Sequence, residues 1–516
     1  MDSLTLSQLD LWIIAGYLVA VALIGALAAR RTHTAQDLFL AGRRLGAVPI
    51  GLSLFASNIS STTLIGLAGA AYAWGIAVAN YEWMAAPVLV FMALLVAPVY
   101  LRARITTVPE FFEQRFDPRV RRYFSALTLF ANIVVDTAGT LFAGALVLSS
   151  LVPNLSLGTA ALVLAAVAGL YTAAGGLAAV VYTDVLQALI LLAGSALVAW
   201  TAYTALGASP EAVAAAAPTP GHLSFFLPLD DPNLPWLGTL IGVPILGFYF
   251  WCTNQFIVQR VLGAHSVEAA RWGMLLAAVL KLAVVFLMVL PGVMAHALLP
   301  PLEDGDLVFP ALVSELLPAG LTGLVMAALA AALMSSIDST LNSAATLLTW
   351  DWVRPLRPGM SDRRIAWIGR GAIVGFMFLA AAIAPAIGRF EGLFQYLQTA
   401  LAYLVPPVAA VFLAGFFAPR VGARAALRGL LGGHLVSAAL FALYLSGLST
   451  LHFTLIAGIL FAASLVLTLL PIGPQETPAD RPGYRPGLTA PEGRFDYRWA
   501  AGLVLVLTAS LIWLFR

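Results

Sequence analysis

The sequence predicts an all-α integral membrane protein with about fourteen transmembrane helices, and three observations support this prediction. Hydrophobic residues make up 61% of the 516 residues and charged residues only 10%, whereas a soluble protein carries about 25% charged residues. Apolar runs long enough to cross the ~30 Å hydrocarbon core of a bilayer recur along the whole chain. The arginines between these runs collect in alternate loops, as expected for cytoplasmic loops. We therefore expect a chain that lies mostly in lipid.

The apolar runs define the candidate spans one by one. They cover residues 8–29, 46–74, 77–101, 123–150, 157–174, 178–205, 236–259, 272–299, 317–349, 365–388, 392–417, 425–446, 451–471 and 499–515. The start of the chain has no basic segment, and the run that follows it is too long for a signal peptide, so we interpret it as the first span. The two longest connections, 207–235 and 472–497, are typical of loops and not of soluble domains.

The charges test the number of spans independently. If the N-terminus lies outside, the predicted inner loops contain nearly all the arginines, and the outer loops keep only Arg389 and Arg516. A shift by one span would scatter the basic residues over both sides of the membrane. The expected location is the plasma membrane (the inner membrane of a bacterium), with both termini extracytoplasmic.

Composition also argues against several classes of function. Cys252 is the single cysteine, so no internal disulfide and no Cys/His metal cluster is expected. Nothing in the chain is basic and aromatic enough to bind nucleic acid. The six histidines lie mostly near helix ends and in loops, and no nucleophile–base pair suggests an enzyme. A channel is expected to show a continuous polar pore stripe, which we do not find.

Two spans contain features that interrupt a helix. The second span carries six hydroxyl or amide residues within the seven positions from Ser57 to Thr63. The seventh contains Pro244 and Gly247, which weaken a helix. An interrupted span is expected where it lines a site, and the offset of five spans is that of an inverted repeat. We expect repeats over 46–205 and 236–417, with 8–29 and 425–515 peripheral. The alternative is that these residues only bond helix carbonyls or mediate packing.

Seven short segments, in order along the chain, resemble the solute:sodium symporter family, and its sodium–glucose cotransporter branch most of all. They are DLFLAGR (37–43), ASNIS (56–60), YEWM (81–84), TVPEF (107–111), GGL (175–177), VYTDVLQ (181–187) and SSIDSTLNS (335–343). The resemblance implies a five-plus-five inverted repeat with a LeuT-like core. It also implies symport by alternating access, with Na+ as the coupling ion and a small polar solute as the substrate.

A sodium site is predicted where the second and ninth spans meet. Neutral carbonyls and hydroxyls suffice to bind sodium, and the small residues 327–332 allow helices to approach closely. The resemblance implies that the ligands are the carbonyls of Ala56, Ile59 and Ala332 and the hydroxyls of Ser335 and Ser336. The alternative is that the two serines only pack helices.

A second cation site is predicted at two acids inside the membrane. Asp338 follows Ser335 by three residues and shares its helix face, and Asp184 lies near the inner end of the sixth span. The resemblance implies an additional site there, with Ser339 as a hydroxyl ligand. A charge in the bilayer needs a partner ion or a proton. Alternatively, Asp184 is solvated or pairs with an arginine such as Arg260.

The substrate site is predicted around Lys281, which is the only lysine of the chain and lies within an apolar span. Glu82 is its expected opposite charge. The resemblance implies that Glu82, Lys281, Asn58 and Gln398 contact the substrate, that Phe250 is the inner gate, and that Trp251 lies beside it. The alternative for either charge is that it reaches out to the interface.

Some positions depart from the pattern of sugar carriers. Thr63 and Gly247 stand where amides are expected, Ala85 replaces a serine and Phe250 replaces a tyrosine. Asp136 is an unexpected acid in the fourth span; it could bind a substrate amine or hydroxyls, or pair with Lys281. A sugar or polyol is the predicted solute, and an amine or amino acid remains open, as does a solute-gated sensor or channel on the same fold.

Overall fold

A computed structural model describes residues 7–30, 32–151, 155–387, 393–471, 481–483 and 496–516. Within these ranges the chain forms helices and loops, with two isolated backbone bridges, Leu45 to Ala264 and Leu227 to Pro235. Arg389 and most of the predicted loop 472–497 lie outside the described residues.

The helices are numbered here as membrane spans, and interrupted spans are divided into a and b. They are span 1 (Gln8–Ala29), 2a (Ala47–Asn58), 2b (Ser61–Trp74), 3 (Ile76–Arg102), 4 (Pro118–Phe130, Ala131–Thr137 and Ala138–Leu151), 5 and 6 (together Leu157–Ala205), 7a (Trp236–Thr253), 7b (Gln255–Leu262), 8 (Val267–Leu298), 9 (Leu321–Leu356), 10 (Asp362–Ile387), 11a (Leu393–Leu404), 11b (Pro406–Phe417), 12 (Ala423–Leu445), 13 (Phe453–Leu469) and 14 (Tyr497–Leu514). Shorter helices lie between them at Ala35–Leu40, Val108–Arg115, Pro210–Ala216 and Val308–Leu316.

Ten helices in the described part are long and apolar enough to cross a membrane, or twelve if each bent pair forms one span. The 49-residue helix Leu157–Ala205 would be about 74 Å long if it were straight, which is more than twice the thickness of the hydrocarbon core. It breaks at Gly176, whose φ is 59°, and a Cβ there would lie 2.4 Å from the carbonyl oxygen of Leu38. With this helix counted as two spans, and with the 17-residue helix Phe453–Leu469 included, the described spans number fourteen.

The second span is interrupted as predicted, but the predicted position of the break in the seventh span is wrong. Spans 2a and 2b meet at an angle of 56°, with Ile59 in a non-helical conformation at the end of 2a. In the seventh span the helix runs through Pro244 and Gly247, and the chain becomes extended only at Asn254, with ψ 123°. The side chain of Asn254 accepts a hydrogen bond from the amide of Phe256 and so begins span 7b. A capping amide therefore marks this break, and the proline lies within a continuous helix.

Span 9 is buried on all sides from residue 331 to residue 347, whereas spans 1, 12 and 14 expose large apolar side chains such as Trp12, Leu435 and Val506. The first turn of span 9 is held by Asp10 of span 1. Its carboxylate accepts hydrogen bonds from the amides of Gly320 and Gly323 at 2.7 and 2.6 Å. Backbone amides at the start of a helix have no partner within the helix. The contact with Asp10 therefore fixes the start of span 9, the span that contains the segment SSIDSTLNS (335–343, called the serine motif below).

Candidate functional site

A cavity lies between the interrupted spans 2 and 7 and spans 3, 4, 9 and 11. It is lined by seven of the residues predicted for the substrate and gate, namely Asn58, Thr63, Glu82, Asp136, Phe250, Trp251 and Gln398. Ser336, one of the predicted sodium ligands, lines the same cavity. The tertiary structure therefore brings together residues that are separated by up to several hundred positions in the chain.

Lys281 of span 8 connects three elements at one edge of the cavity. Its ammonium group donates hydrogen bonds to the carboxylate of Glu82 on span 3 and to the side-chain oxygen of Asn58 at the end of span 2a. Lys281 is 1% exposed and Glu82 4% exposed, so neither reaches an interface by extending along its span. The ring of Trp251 lies 5.9 Å from the ammonium nitrogen, within the range of a cation–π contact. Glu82 is thus the partner predicted for Lys281.

Asp136 presents a second carboxylate to the cavity, from a π-helical turn of span 4, Ala131–Thr137. Its Oδ2 atom is buried and has no hydrogen-bond partner within the described ranges. The ammonium group of Lys281 is bonded to Glu82 and Asn58 and not to Asp136. The carboxylate of Asp136 therefore lines the cavity and is not paired with Lys281.

Aromatic side chains form the wall contributed by the seventh span. Phe250 packs edge-on against Trp251, with 5.2 Å between ring centroids, and against Phe256 of span 7b, with 5.5 Å. Phe250 and Trp251 lie in the π-helical turn Tyr249–Thr253 immediately before the break at Asn254. π-helical turns and interrupted helices are frequent at functional sites, because they redirect side chains and release backbone groups.

The predicted sodium ligands lie where the end of span 2a meets span 9. The hydroxyl of Ser57 lies 3.4 Å from that of Ser335, which places this end of span 2a against the serine motif. The amide of Ser60 donates to the carbonyl of Asn58 at 3.2 Å and so does not close a helical bond to Ala56. The hydroxyl of Ser336 is buried without a partner in the described part of the chain. A freed carbonyl and an unpartnered hydroxyl are compatible with a cation that needs neutral oxygen ligands.

Asp184 of span 6 has a cationic partner in the structure. Its carboxylate accepts hydrogen bonds from Ser335 at 2.6 Å and from Ser53 at 2.5 Å, and it lies 3.0 Å from the guanidinium of Arg260. The pairing with Arg260 was one of the two predicted alternatives. Arg260 directly follows the predicted span 236–259, which places it in a predicted inner loop. This prediction is wrong, since Arg260 belongs to the helix of span 7b and is 1% exposed.

Asp338 lies beside this cluster in a different environment. Its carboxylate accepts hydrogen bonds from the hydroxyl of Tyr171 on span 5 and from that of Ser339 at 3.1 Å. Tyr171 and Ser53 were not predicted from the sequence. Neither belongs to a motif. The packing of span 5 against span 9 brings Tyr171 to Asp338, and the packing of span 2a against span 6 brings Ser53 to Asp184.

The sequence model of the sodium:solute symporter family matches residues 38–433 of the chain. Sodium/myo-inositol cotransporter 2 of Sus scrofa is 36% identical over 469 residues, which cover 84% of this chain and 69% of that protein. Sodium/glucose cotransporter 2 of Rattus norvegicus is 36% identical over 475 residues, which cover 83% and 71%. The chain belongs to the sodium:solute symporter family. It is therefore a sodium-coupled symporter and not an enzyme, as the sequence predicts.

Two solved structures share the fold. The outward-open, substrate-bound structure of a Na+-coupled sialic acid symporter matches with a TM-score of 0.79 at 23% identity, over 90% of this chain and 96% of that one. Closed Mhp1, a transporter of the nucleobase-cation-symport-1 family with bromovinylhydantoin bound, matches with a TM-score of 0.50 at 15% identity, over 85% of this chain and 93% of that one. These matches confirm the predicted all-α membrane fold with a LeuT-like core.

Proposed function

We propose that this symporter carries a sugar or a sugar-like polyol into the cell by alternating access. The observation that supports the substrate class is the network of Lys281, Glu82 and Asn58 at the edge of the cavity, together with Gln398 in its wall. This set offers donors and acceptors without a free net charge, which suits a neutral molecule with many hydroxyls. The names of the relatives, cotransporters of myo-inositol and glucose, agree with this class.

In this proposal, the carbonyls of Ala56, Ile59 and Ala332 and the hydroxyls of Ser335 and Ser336 hold the coupling sodium. The break after span 2a supplies two of the carbonyls, and span 9 supplies the remaining oxygens. Asn58 lies between Ala56 and Ile59 and its side chain faces the solute cavity. A sodium ion that tightens this turn would therefore also position Asn58 for the solute, which is a direct physical route for coupling.

Phe250 and Trp251 act as the inner gate of the cavity in this proposal. Both precede the break at Asn254, and the ring of Phe250 packs against Phe256 of span 7b. A movement of span 7b relative to span 7a would therefore remove the contact that holds Phe250 in place. In this proposal the inverted repeats cover 46–205 and 236–417, with residues 8–29 and 425–515 peripheral, and each repeat supplies one interrupted span to the site, span 2 and span 7. The arginine distribution supports a plasma (bacterial inner) membrane location, with both termini extracytoplasmic.

Uptake into proteoliposomes tests the substrate class. The purified protein is assayed with myo-inositol, glucose, galactose and a panel of amino acids, with and without an inward sodium gradient. Accumulation of a sugar or polyol that depends on the gradient is expected. Accumulation of amines or amino acids alone would refute the proposed class.

Asp136 favours a second candidate class of solute, one that carries an amine, because this acid lines the cavity and is not paired with Lys281. If the solute carries an amine, Asp136→Asn is expected to abolish uptake of that solute and to spare neutral ones. If Asp136 binds a hydroxyl, the amide retains an acceptor and uptake of the polyol should fall by only about tenfold or less, the range of one hydrogen bond. Wild-type uptake by the variant for every solute would exclude Asp136 from the substrate site.

We also propose a second cation site, formed by Asp184, Asp338 and Ser339. Two carboxylates lie in this cluster with one arginine, and a second carboxylate in a water-poor site requires either a further cation or a proton.

If sodium binds, the reversal potential in proteoliposomes is expected to indicate more than one sodium per solute, and Asp338→Ala should lower that number without abolishing transport. If a proton is held, the ratio is one and uptake falls at high pH. A ratio of one, insensitive to both pH and Asp338→Ala, would refute the site.

A further inference from the structure

Arg260 is the most highly connected charged group in the described interior. From span 7b its guanidinium donates to Ser53 at 2.6 Å and to Ser57, both on span 2a, and to Ser339 on span 9. It also pairs with Asp184 on span 6 at 3.0 Å. One cationic group thus joins the inner halves of both interrupted spans to spans 6 and 9.

The guanidinium of Arg260 lies against a row of polar residues on one face of span 9, which we call the polar stripe. Ser335, Ser339, Asn342 and Thr346 follow one another at steps of four, three and four residues, and so they share one helix face. Span 7b packs on this face, where Arg260 contacts Ser339 and Gln259 donates to Thr346 at 2.8 Å. The stripe begins at a proposed sodium ligand and runs toward the end of span 9 that precedes the arginine-rich segment 354–370, which is the predicted inner side.

Asn342, in the middle of this stripe, is a buried polar residue without hydrogen bonds from its side chain. It is 1% exposed, and neither the oxygen nor the nitrogen of its amide group has a partner within the described ranges. A buried amide without partners is costly, commonly by ~1–3 kcal/mol for each unsatisfied group. Such a residue is explained if it contacts water or an ion at some stage of the transport cycle.

We propose that this stripe is the route by which the coupling sodium leaves toward the inside, and that Arg260 is the gate of the route. The inference rests on the proposed sodium site at Ser335 and Ser336. In this arrangement the guanidinium occupies the oxygens of Ser57, Ser339 and Asp184 that a departing cation would need, and its charge repels that cation. A cation can therefore bind at Asp184 and Ser339, in the proposed second site, only when Arg260 has withdrawn. Sodium can pass only when span 7b moves and withdraws Arg260, so the release of sodium is linked to the movement of an interrupted span.

Cysteine accessibility tests this gate, because Cys252 is the only native cysteine. In a Cys252→Ser background, Asn342→Cys is exposed to a membrane-impermeant, positively charged methanethiosulfonate reagent on the arginine-rich side of oriented vesicles. The rate of modification is measured with Arg260 present and in Arg260→Gln. Ala344→Cys provides the matched control, since Ala344 is equally buried on span 9 but belongs to an apolar cluster.

Modification of Asn342→Cys is expected to be slow with Arg260 and faster by about tenfold or more in Arg260→Gln, because the charge-assisted contacts that favour the closed state are lost. Ala344→Cys should remain unreactive in both backgrounds. Equal rates at position 342 with and without Arg260, or no modification in either, would overturn the gate. Arg260→Lys keeps the charge with fewer donors and is expected to accelerate modification less; it provides the same test if Arg260→Gln does not fold.

The sodium site is tested separately on the Cys252→Ser parent. Sodium should raise its unfolding temperature relative to an equal concentration of choline, because a ligand that binds only the folded state stabilises it. Absence of this stabilisation would refute the sodium site itself. Stabilisation without any effect of Arg260 on accessibility would refute only the gate.

Discussion

Replacement of both Ser335 and Ser336 by alanine is expected to raise the sodium concentration for half-maximal uptake by at least about tenfold, or ~1.4 kcal/mol of binding free energy. The two hydroxyls supply two of the five proposed sodium oxygens, and an alanine offers none in their place. The hydroxyl of Ser336 has no other partner in the described structure, so its loss should affect sodium far more than folding. Uptake in proteoliposomes over a range of sodium concentrations gives the value.

Ser464→Ala is the matched control for this measurement. The hydroxyl of Ser464 is also buried without a partner among the described residues, but it lies on the peripheral span 13. Its removal should leave the sodium dependence unchanged. If the double variant of Ser335 and Ser336 folds and keeps the half-saturating sodium concentration of the wild type, these hydroxyls are not sodium ligands.

Lys281→Gln is expected to reduce uptake by about a hundredfold or more and to lower the unfolding temperature. Removal of one partner of a buried ion pair leaves an uncompensated charge, at a typical cost of ~3–5 kcal/mol. Here the remaining charge is Glu82, and Asn58 also loses the donor that orients it. Glu82→Gln should be similarly damaging. The double variant Glu82→Gln/Lys281→Gln should recover most of the unfolding temperature, but not the affinity for the solute.

The pair Arg354–Asp362 provides the control, with an N–O distance of 3.3 Å and side chains 38% and 57% exposed. Exposed ion pairs contribute ~0–1 kcal/mol to the free energy of unfolding. Arg354→Gln should therefore change the unfolding temperature and the uptake only a little. Unfolding followed by intrinsic fluorescence, with uptake on the same preparations, separates stability from transport. Normal uptake by Lys281→Gln would remove the Lys281–Glu82 pair from the substrate site.

The proposed alternating access would explain why the cavity lies at the interrupted spans 2 and 7. The cavity is bounded by side chains that precede or follow the breaks, such as Asn58 and Phe250. Rigid halves on either side of a break can change their angle without exposing apolar surface of the other spans. The cluster around Arg260 and the aromatic wall at Phe250 would then open together, since both depend on the position of span 7b.

The amino-acid sequence determined the membrane character, the number of spans and the family, and it indicated the residues that are proposed here for the sodium and substrate sites. Apolar length reports directly on the thickness of the bilayer, and charges excluded from lipid, such as Lys281 and Asp184, stand out in an apolar chain. For the same reason, Glu82 could be named as the partner of Lys281 from the residue types alone.

Only the tertiary structure decided how the charges of the interior are paired and where the seventh span is broken. Arg260 adjoins a predicted inner loop in the sequence, yet it lies buried against Asp184, because the chain continues beyond the break as the helix of span 7b. Pro244 is a stronger helix breaker than Asn254, but the helix continues through Pro244 and stops where the side chain of Asn254 caps the next helix. Tyr171 and Ser53 reach the acids through contacts across more than a hundred residues. Such pairings depend on how the spans pack against one another, and the sequence around each residue does not indicate which distant residue it will contact.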